Sequence, residues 1–109
     1  MMNLYLRCFH VWGIEPQLLK TVEELSELQK AIARYLIKRC IARDQRIAKE
    51  ADFWDTNELT KNIIEEIVDC EIMLNQLKEY FDENVYAQYR TEKLISLDRL
   101  LTESEKNAS

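Results

Sequence analysis

The sequence has very little of the residues that interrupt helices. One glycine, Gly13, and one proline, Pro16, occur among 109 residues. Because these two residue types are the strongest breakers of regular structure, their scarcity predicts long helices and few tight turns. A single glycine also excludes a glycine-rich phosphate-binding loop. With 47% hydrophobic and 32% charged residues, the composition is globular, and the length predicts one domain over residues 1–109.

The cysteine pattern, the single histidine and the negative net charge each exclude further classes of protein. Cys8, Cys40 and Cys70 are odd in number and form no Cys-x-x-Cys pair, so we expect reduced thiols in a cytoplasmic protein. His10 is the one histidine, which argues against a di-iron site with Glu-x-x-His pairs and against a covalent Ser–His or Cys–His mechanism. A net charge of −5 argues against binding to a nucleic-acid polymer. No signal peptide is expected, and no apolar run approaches the roughly 20 residues of a membrane span.

The remaining pattern predicts an all-α helical bundle of four to five helices, completed by oligomerisation. Apolar residues at helical spacing and cap residues mark the ends of the helices. We expect helices over Asn3–Trp12, from Pro16 to about Lys49, from about Glu58 to Phe81, and from about Val85 to Glu103, followed by a frayed tail at 103–109.

Two apolar stripes are predicted to form the core. The second helix carries one stripe at 3.6-residue periodicity, and the third helix carries another. Their members are Leu18, Val22, Leu25, Ile32 and Leu36, and then Ile63, Ile67, Cys70, Leu74, Leu77 and Phe81. The third helix has a further apolar arc at Ile64, Val68 and Ile72. That arc indicates either contact with another subunit or a central position within one subunit.

Two acidic pairs are the candidate functional feature. Glu24 and Glu27 are three residues apart on the second helix, and Glu66 and Asp69 are three apart on the third. Residues three apart are neighbours on a helix surface, so two pairs on facing helices would form a four-carboxylate pocket. Such a pocket favours a hard divalent cation, which prefers oxygen ligands. The alternative is a solvated acidic face.

Two cations on the last helix lie within its apolar arc. Arg90 and Lys93 either reach phosphate groups at the edge of the pocket or form salt bridges with neighbouring acids. Two further residues have both a binding and a packing interpretation. His10 and Trp54 could contact a nucleobase, although packing is the commoner fate of both residue types.

These residues together resemble one protein family. The ordered set is Trp12-Gly13, Gln17, Glu23-Glu24-x-x-Glu27-Leu28, Glu66-x-x-Asp69 with Ile72-Met73-Leu74, and Tyr89-Arg90-x-x-Lys93-Leu94. It resembles the MazG-like branch of the all-α nucleotide pyrophosphohydrolases, from about Trp12 to Leu101. The interval between Glu27 and Glu66 is longer than in the compact family pattern, and the excess falls between Lys38 and Asp55.

The resemblance implies a specific activity. Such proteins are helical dimers or tetramers that hydrolyse nucleoside triphosphates to monophosphates and pyrophosphate with Mg²⁺, for which Mn²⁺ is an alternative. By motif position, the metal ligands would be Glu24, Glu27, Glu66 and Asp69. Phosphate would be bound by Lys93 with Arg90, and Gln17 would lie at the pocket mouth.

The implied reaction assigns two catalytic roles. Glu27, as the acid least engaged with metal, would take a proton from the attacking water, and Lys93 would stabilise charge on the leaving pyrophosphate. The competing hypothesis is a non-catalytic helical interaction protein. In that case the acidic clusters are salt-bridge partners for the basic residues.

Overall fold

The described part of the chain is helical. A computed structural model describes residues 2–41 and 56–108. Within these ranges there is no strand, and the four helices are α1 Leu4–Trp12, α2 Ile14–Ile41, α3 Thr56–Tyr80 and α4 Glu83–Ala108. The predicted all-α class is confirmed. None of the helices in these ranges combines the length and apolar character that crossing a membrane requires.

The helices belong to two compact units. The first unit is Met1–Leu77, which holds α1, α2 and most of α3. The second is Lys78–Ser109, which holds α4. The predicted single domain over residues 1–109 stays a prediction. Trp54 and most of the charged stretch from Lys38 to Asp55 lie outside the described residues.

Both ends of α1 follow from single residues. The Asn3 side chain accepts a hydrogen bond from the backbone N–H of Leu6 at 2.9 Å, which satisfies one of the free donors of the first turn. At the other end, the Gly13 N–H donates to the carbonyl of Phe9 at 2.8 Å. Gly13 has φ 82° and ψ 167°, a conformation that is essentially restricted to glycine. The prediction that α1 ends at Gly13 is confirmed.

Replacing Gly13 by alanine should therefore destabilise the first unit. A Cβ atom at this position would meet the Cδ of Pro16 at 3.9 Å, so space is sufficient and the penalty comes from the backbone conformation. We expect the free energy of unfolding to fall by about 1–3 kcal/mol, measured by urea denaturation. Arg34→Ala, at an exposed position within α2, is the control and should change stability little. Equal stability of the two variants would contradict the prediction.

The ends of the later helices need two corrections. Asp82 caps the last helix, because its Oδ1 accepts from the N–H groups of Asn84 at 2.9 Å and Val85 at 3.2 Å. However, α3 begins at Thr56, before the predicted start near Glu58. The predicted end near Glu103 is also wrong, because α4 continues to Ala108, and the frayed tail stays a prediction. Polar composition suggested an end near Glu103, but Glu and Lys are good helix formers and no breaker follows Glu103.

The buried face of α2 is not the predicted one. Leu18, Val22, Leu25, Ile32 and Leu36 are 38–62% exposed. The residues that are buried lie on the adjoining, more polar face: Gln17 at 6%, Thr21 at 5% and Ala31 at 6% exposed. The Thr21 hydroxyl donates to the carbonyl of Gln17 at 2.8 Å, so the burial of Thr21 leaves no unpaired donor. The predicted core stripe of α2 is therefore wrong for the described part of the chain.

The prediction for α3 is correct in part. Cys70 is buried, and Ile63 and Leu77 are half-buried. By contrast, Ile67, Leu74 and Phe81 are 45–56% exposed. The buried positions Leu59, Cys70, Met73 and Gln76 extend along the side of α3 that carries the acids. The buried residues of the first unit thus lie on the helix faces that carry the acids, rather than on the predicted apolar stripes.

Candidate metal centre

Three carboxylates from two helices converge in the first unit. Glu24 comes from α2, and Glu66 and Asp69 come from one face of α3. One oxygen atom from each lies within 4.8 Å of the others, and all three residues are half-buried. The three-residue spacing on α3 explains why its two acids are adjacent. The contact between Cys70 on α3 and the backbone carbonyl of Glu24 on α2 holds the two helices together at this position.

One of these carboxylates carries an unsatisfied buried oxygen. Oε2 of Glu66 is inaccessible to solvent and has no hydrogen-bond partner among the residues that the structure describes. Burial raises the pKa of Glu66, and the negative charges of Asp69, Glu24 and Glu27 raise it further. A buried carboxylate without a hydrogen bond or counter-charge is unfavourable. The three acids therefore form a set of hard oxygen donors whose chemistry fits a divalent cation.

A thiol joins the two helices beside the acids. Sγ of Cys70 donates to the backbone carbonyl of Glu24 at 3.3 Å. Burial raises the pKa of this thiol, and the charge of Glu24 adds to the effect. Cys70 therefore stays protonated and acts as a donor. The contact fixes the turn of α2 that carries Glu24 against the turn of α3 that carries Asp69.

Lys20 forms an ion pair with one of the three acids. Its Nζ lies 3.1 Å from Oε1 of Glu24 and 3.6 Å from Oε2 of Glu23. The hydrogen bond to Glu24, with the charge of Glu23, raises the pKa of Lys20. One ammonium group offsets part of the negative charge of the cluster, but it does not contact the buried oxygen of Glu66.

Glu27 is placed differently from the other three predicted ligands. It is not among the three acids that share the site, its side chain is 47% exposed, and its carboxylate lies 3.6 Å from Nζ of Lys30. Its charge nevertheless reaches the site, because it contributes to the raised pKa of Glu66. The structure thus brings together Glu24, Glu66 and Asp69, whereas Glu27 lies outside this group.

A pocket of about 430 Å³ lies in the same unit. Its lining residues are Trp12, Pro16, Gln17, Lys20, Met73 and Gln76. The volume is within the range of about 300–1,000 Å³ that small-molecule sites have. Gln17, which the family motif places at a pocket mouth, lines this pocket, and Lys20 connects it to the carboxylates. The pocket that Gln17 lines is therefore next to the acid cluster.

Two lining residues were missed by reasoning from sequence. Lys20 precedes Glu24 by four residues, a spacing that predicts an ion pair on a helix. Gln76 follows Met73 by three residues and lies on the same face of α3 as Asp69. Its Oε1 is buried and has no hydrogen-bond partner in the described part of the chain. The helical spacing could have indicated both, but their burial could not be read from it.

The other predicted site residues lie elsewhere. Arg90 and Lys93 are exposed on α4, in the second unit, where they line a shallow pocket of about 330 Å³ with Tyr86, Tyr89 and Leu94. This arrangement confirms that the two cations share a face with aromatic and aliphatic side chains. Their proposed contact with phosphate stays a prediction.

Comparison with known proteins assigns no relationship. No protein-family model, no curated protein and no solved structure matches this chain.

Proposed function

We propose that this protein hydrolyses nucleoside triphosphates to monophosphates and pyrophosphate with the help of Mg²⁺. The observation that carries the proposal is the buried Oε2 of Glu66, which has no partner in the described residues, within a group of three acids from two helices. The resemblance of the ordered motifs to the MazG-like pyrophosphohydrolases adds to it. The three carboxylates supply the oxygen donors that Mg²⁺ prefers, with Mn²⁺ as the alternative.

The first role of the protein is to hold the cation and order the acids around it. Glu24, Glu66 and Asp69 are the residues that would bind Mg²⁺, and the Cys70 contact keeps their two helices in register. When bound, such an ion neutralises phosphate charge and makes water more acidic. The acids could not accommodate a triphosphate without this neutralisation, because both partners are negatively charged.

The second role is proton transfer. Hydrolysis breaks the bond between the α- and β-phosphates, adds the oxygen of a water molecule to phosphorus and releases one proton from that water. Glu27 is the proposed acceptor, because it lies outside the three-acid group but close enough to affect the pKa of Glu66. A carboxylate that is not engaged as a ligand keeps its lone pairs for a general-base role.

The third role is substrate binding. Trp12 is 59% exposed on the pocket next to the acids, and an exposed indole ring offers a stacking surface for a nucleobase. The amide of Gln17 supplies hydrogen-bonding groups in the same pocket. Arg90 and Lys93 are proposed to bind phosphate, with Lys93 stabilising the leaving pyrophosphate.

The direct test is a substrate panel. Purified full-length protein is incubated with Mg²⁺ and each of the common ribonucleoside and deoxyribonucleoside triphosphates, together with modified forms, and pyrophosphate release is measured. We expect release from at least one substrate, and the reaction should stop when Mg²⁺ is chelated. If pyrophosphate is released from none of them with Mg²⁺ or Mn²⁺, the proposal is wrong.

The second candidate is a non-catalytic helical interaction protein. It is favoured by the large apolar side chains that α2, α3 and α4 expose, and by the ion pairs that Glu24 and Glu27 form with Lys20 and Lys30. The two candidates differ in their response to Mg²⁺. A metal site stabilises the folded state by about 2.7 kcal/mol at an ion concentration of about 100 times Kd, whereas salt-bridge partners require no such shift.

Either function is proposed to operate in a homo-oligomer. Apolar residues cover outward faces of α2 and α3, and no residue of α4 is buried. Large exposed apolar surfaces are typical of protein–protein contacts. A dimer or tetramer of this chain would bury these faces.

A further inference from the structure

Lys20 lies between the acid cluster and the Trp12 pocket. Its Nζ is 3.1 Å from Oε1 of Glu24, and its side chain also lines the pocket. The Glu24 side chain is 13% exposed, whereas that of Lys20 is 49% exposed. Lys20 is also the charged residue among the lining residues that the structure describes, since the others are aromatic, aliphatic or amide side chains.

A divalent cation and Lys20 compete for the same carboxylate. Each needs oxygen atoms of Glu24, and two cations held at one partly buried carboxylate repel each other. Lys20 can move because its ammonium group is on a flexible four-carbon stem. It also has a second acidic partner, Glu23 at 3.6 Å, which is not part of the three-acid group.

We propose that Lys20 exchanges partners when the cation binds: it neutralises Glu24 in the metal-free protein, and a divalent cation at Glu24 releases it to bind a phosphate group of the nucleotide. The inference rests on the proposed function, since it takes the three acids as a cation site and a nucleotide as the ligand. It adds Lys20 to Arg90 and Lys93 as a proposed phosphate-binding residue. Lys20 acts from the first unit, on the side where the pocket and the carboxylates meet.

The first arm of the test measures cation binding without nucleotide. Mn²⁺ is titrated into the full-length protein, and binding is followed by electron paramagnetic resonance of the free ion. Lys20→Met removes the competing ammonium group, so we expect it to bind Mn²⁺ about fivefold more tightly than the wild type, as loss of one partly exposed ion pair allows. Lys20→Arg keeps the charge and should bind Mn²⁺ as the wild type does.

The second arm measures phosphate binding. AMP, GMP, CMP, UMP and TMP are each titrated into the Mg²⁺-loaded protein by calorimetry. For a monophosphate that binds to the wild type, Lys20→Met should bind about tenfold more weakly, because one charge-assisted hydrogen bond to phosphate is lost. Weaker monophosphate binding in the second arm distinguishes partner exchange from a merely structural ion pair, because a Lys20 that stays paired with Glu24 would not contribute to phosphate binding.

Lys61→Met is the matched control. Lys61 forms a similar exposed ion pair with Glu58 at 3.7 Å on α3, but it does not line the pocket. It should leave both affinities unchanged. Suppose that the wild type binds Mn²⁺ but Lys20→Met binds it no more tightly: the exchange is then overturned, while the metal site stands. The same conclusion follows if the monophosphates bind both proteins equally well, or if they bind neither. If the wild type binds no Mn²⁺, the metal site and this inference fail together.

Discussion

Replacing Glu66 by glutamine is expected to abolish pyrophosphate release and the stabilisation by Mg²⁺, while raising the melting temperature of the metal-free protein. The first two effects follow because the buried oxygen of Glu66 is the group most in need of a cation. The third follows because a neutral amide of the same size removes one negative charge from a cluster of acids and gains donors for Asp69 and Glu24. Activity should fall roughly 100-fold or more, since even loss of a residue that only supports a metal ligand lowers activity about 10–100-fold.

The experiment combines pyrophosphate release with thermal melts in EDTA and in Mg²⁺. Glu65→Gln is the control. Glu65 is the exposed neighbour of Glu66 on α3, so this substitution removes the same charge without removing a proposed metal ligand. It should keep both activity and the shift with Mg²⁺. A Glu66→Gln variant that melts lower than the wild type in EDTA would show that Glu66 stabilises the fold, and would contradict the cation site.

The stabilities of the wild type and of Glu66→Gln should also depend differently on pH. The folded state raises the pKa of Glu66 above its ordinary value of 4.5, so at neutral pH the folded protein carries an unfavourable charge that the unfolded chain tolerates. As pH falls through the raised pKa, the folded state takes up a proton first and stability is gained. In EDTA, the advantage of Glu66→Gln over the wild type should therefore shrink between the raised folded pKa and 4.5. An advantage that grows as pH falls in this window would contradict the assignment.

Placing a lysine in the outward apolar faces should dissociate the proposed homo-oligomer. Val22 on α2 is 62% exposed and Val68 on α3 is 49% exposed, so Val22→Lys and Val68→Lys disturb little within one chain. In an oligomer that buries either face, the lone ammonium group would lose its water at a cost of several kcal/mol. We expect association to weaken at least about 100-fold for one or both variants.

Light scattering coupled to gel filtration measures the outcome. The wild type should have at least twice the chain mass of 13.0 kDa, and an affected variant should approach that mass. Gln88→Lys is the control, since it places the same charge on α4, where Gln88 already contacts Glu92 at 3.3 Å. A wild type of one chain mass, or variants that all keep the wild-type mass, would show that these faces are not buried between copies.

Helix periodicity identified an apolar face on α2, but the prediction that this face forms the core of the chain was wrong. Leu18, Val22 and Leu25 are spaced by four and three residues, which predicts a surface that packs against another helix. The spacing does not say which helix. Within the described residues α3 contacts α2 at Glu24 instead, and the buried residues Thr21 and Ala31 share that face, so the apolar stripe remains exposed. Hydrophobic patterning identifies a surface to be buried, and only coordinates identify its partner.

The acidic motifs carried more information than the apolar ones. The two three-residue spacings predicted a shared cluster, and three of the four acids do come together. Glu27 does not join them, and its exposed carboxylate lies 3.6 Å from Nζ of Lys30. Spacing places a residue on a helix face. Whether its side chain reaches a cluster on another helix depends on the distance between the two helices at that turn and on which cation is nearby.

The sequence by itself determined that this protein is helical, where α1 ends, and which acids are candidates for a metal site. These features depend on local physics: the glycine conformation at Gly13 and the spacing of residues along a helix. Only the tertiary structure decided that the polar face of α2 is the buried one, that Glu66 has an oxygen with no partner in the described residues, and that Lys20 joins the acids to a pocket. Those properties arise where two helices meet, because burial and charge balance belong to the pair of surfaces rather than to either stretch of chain.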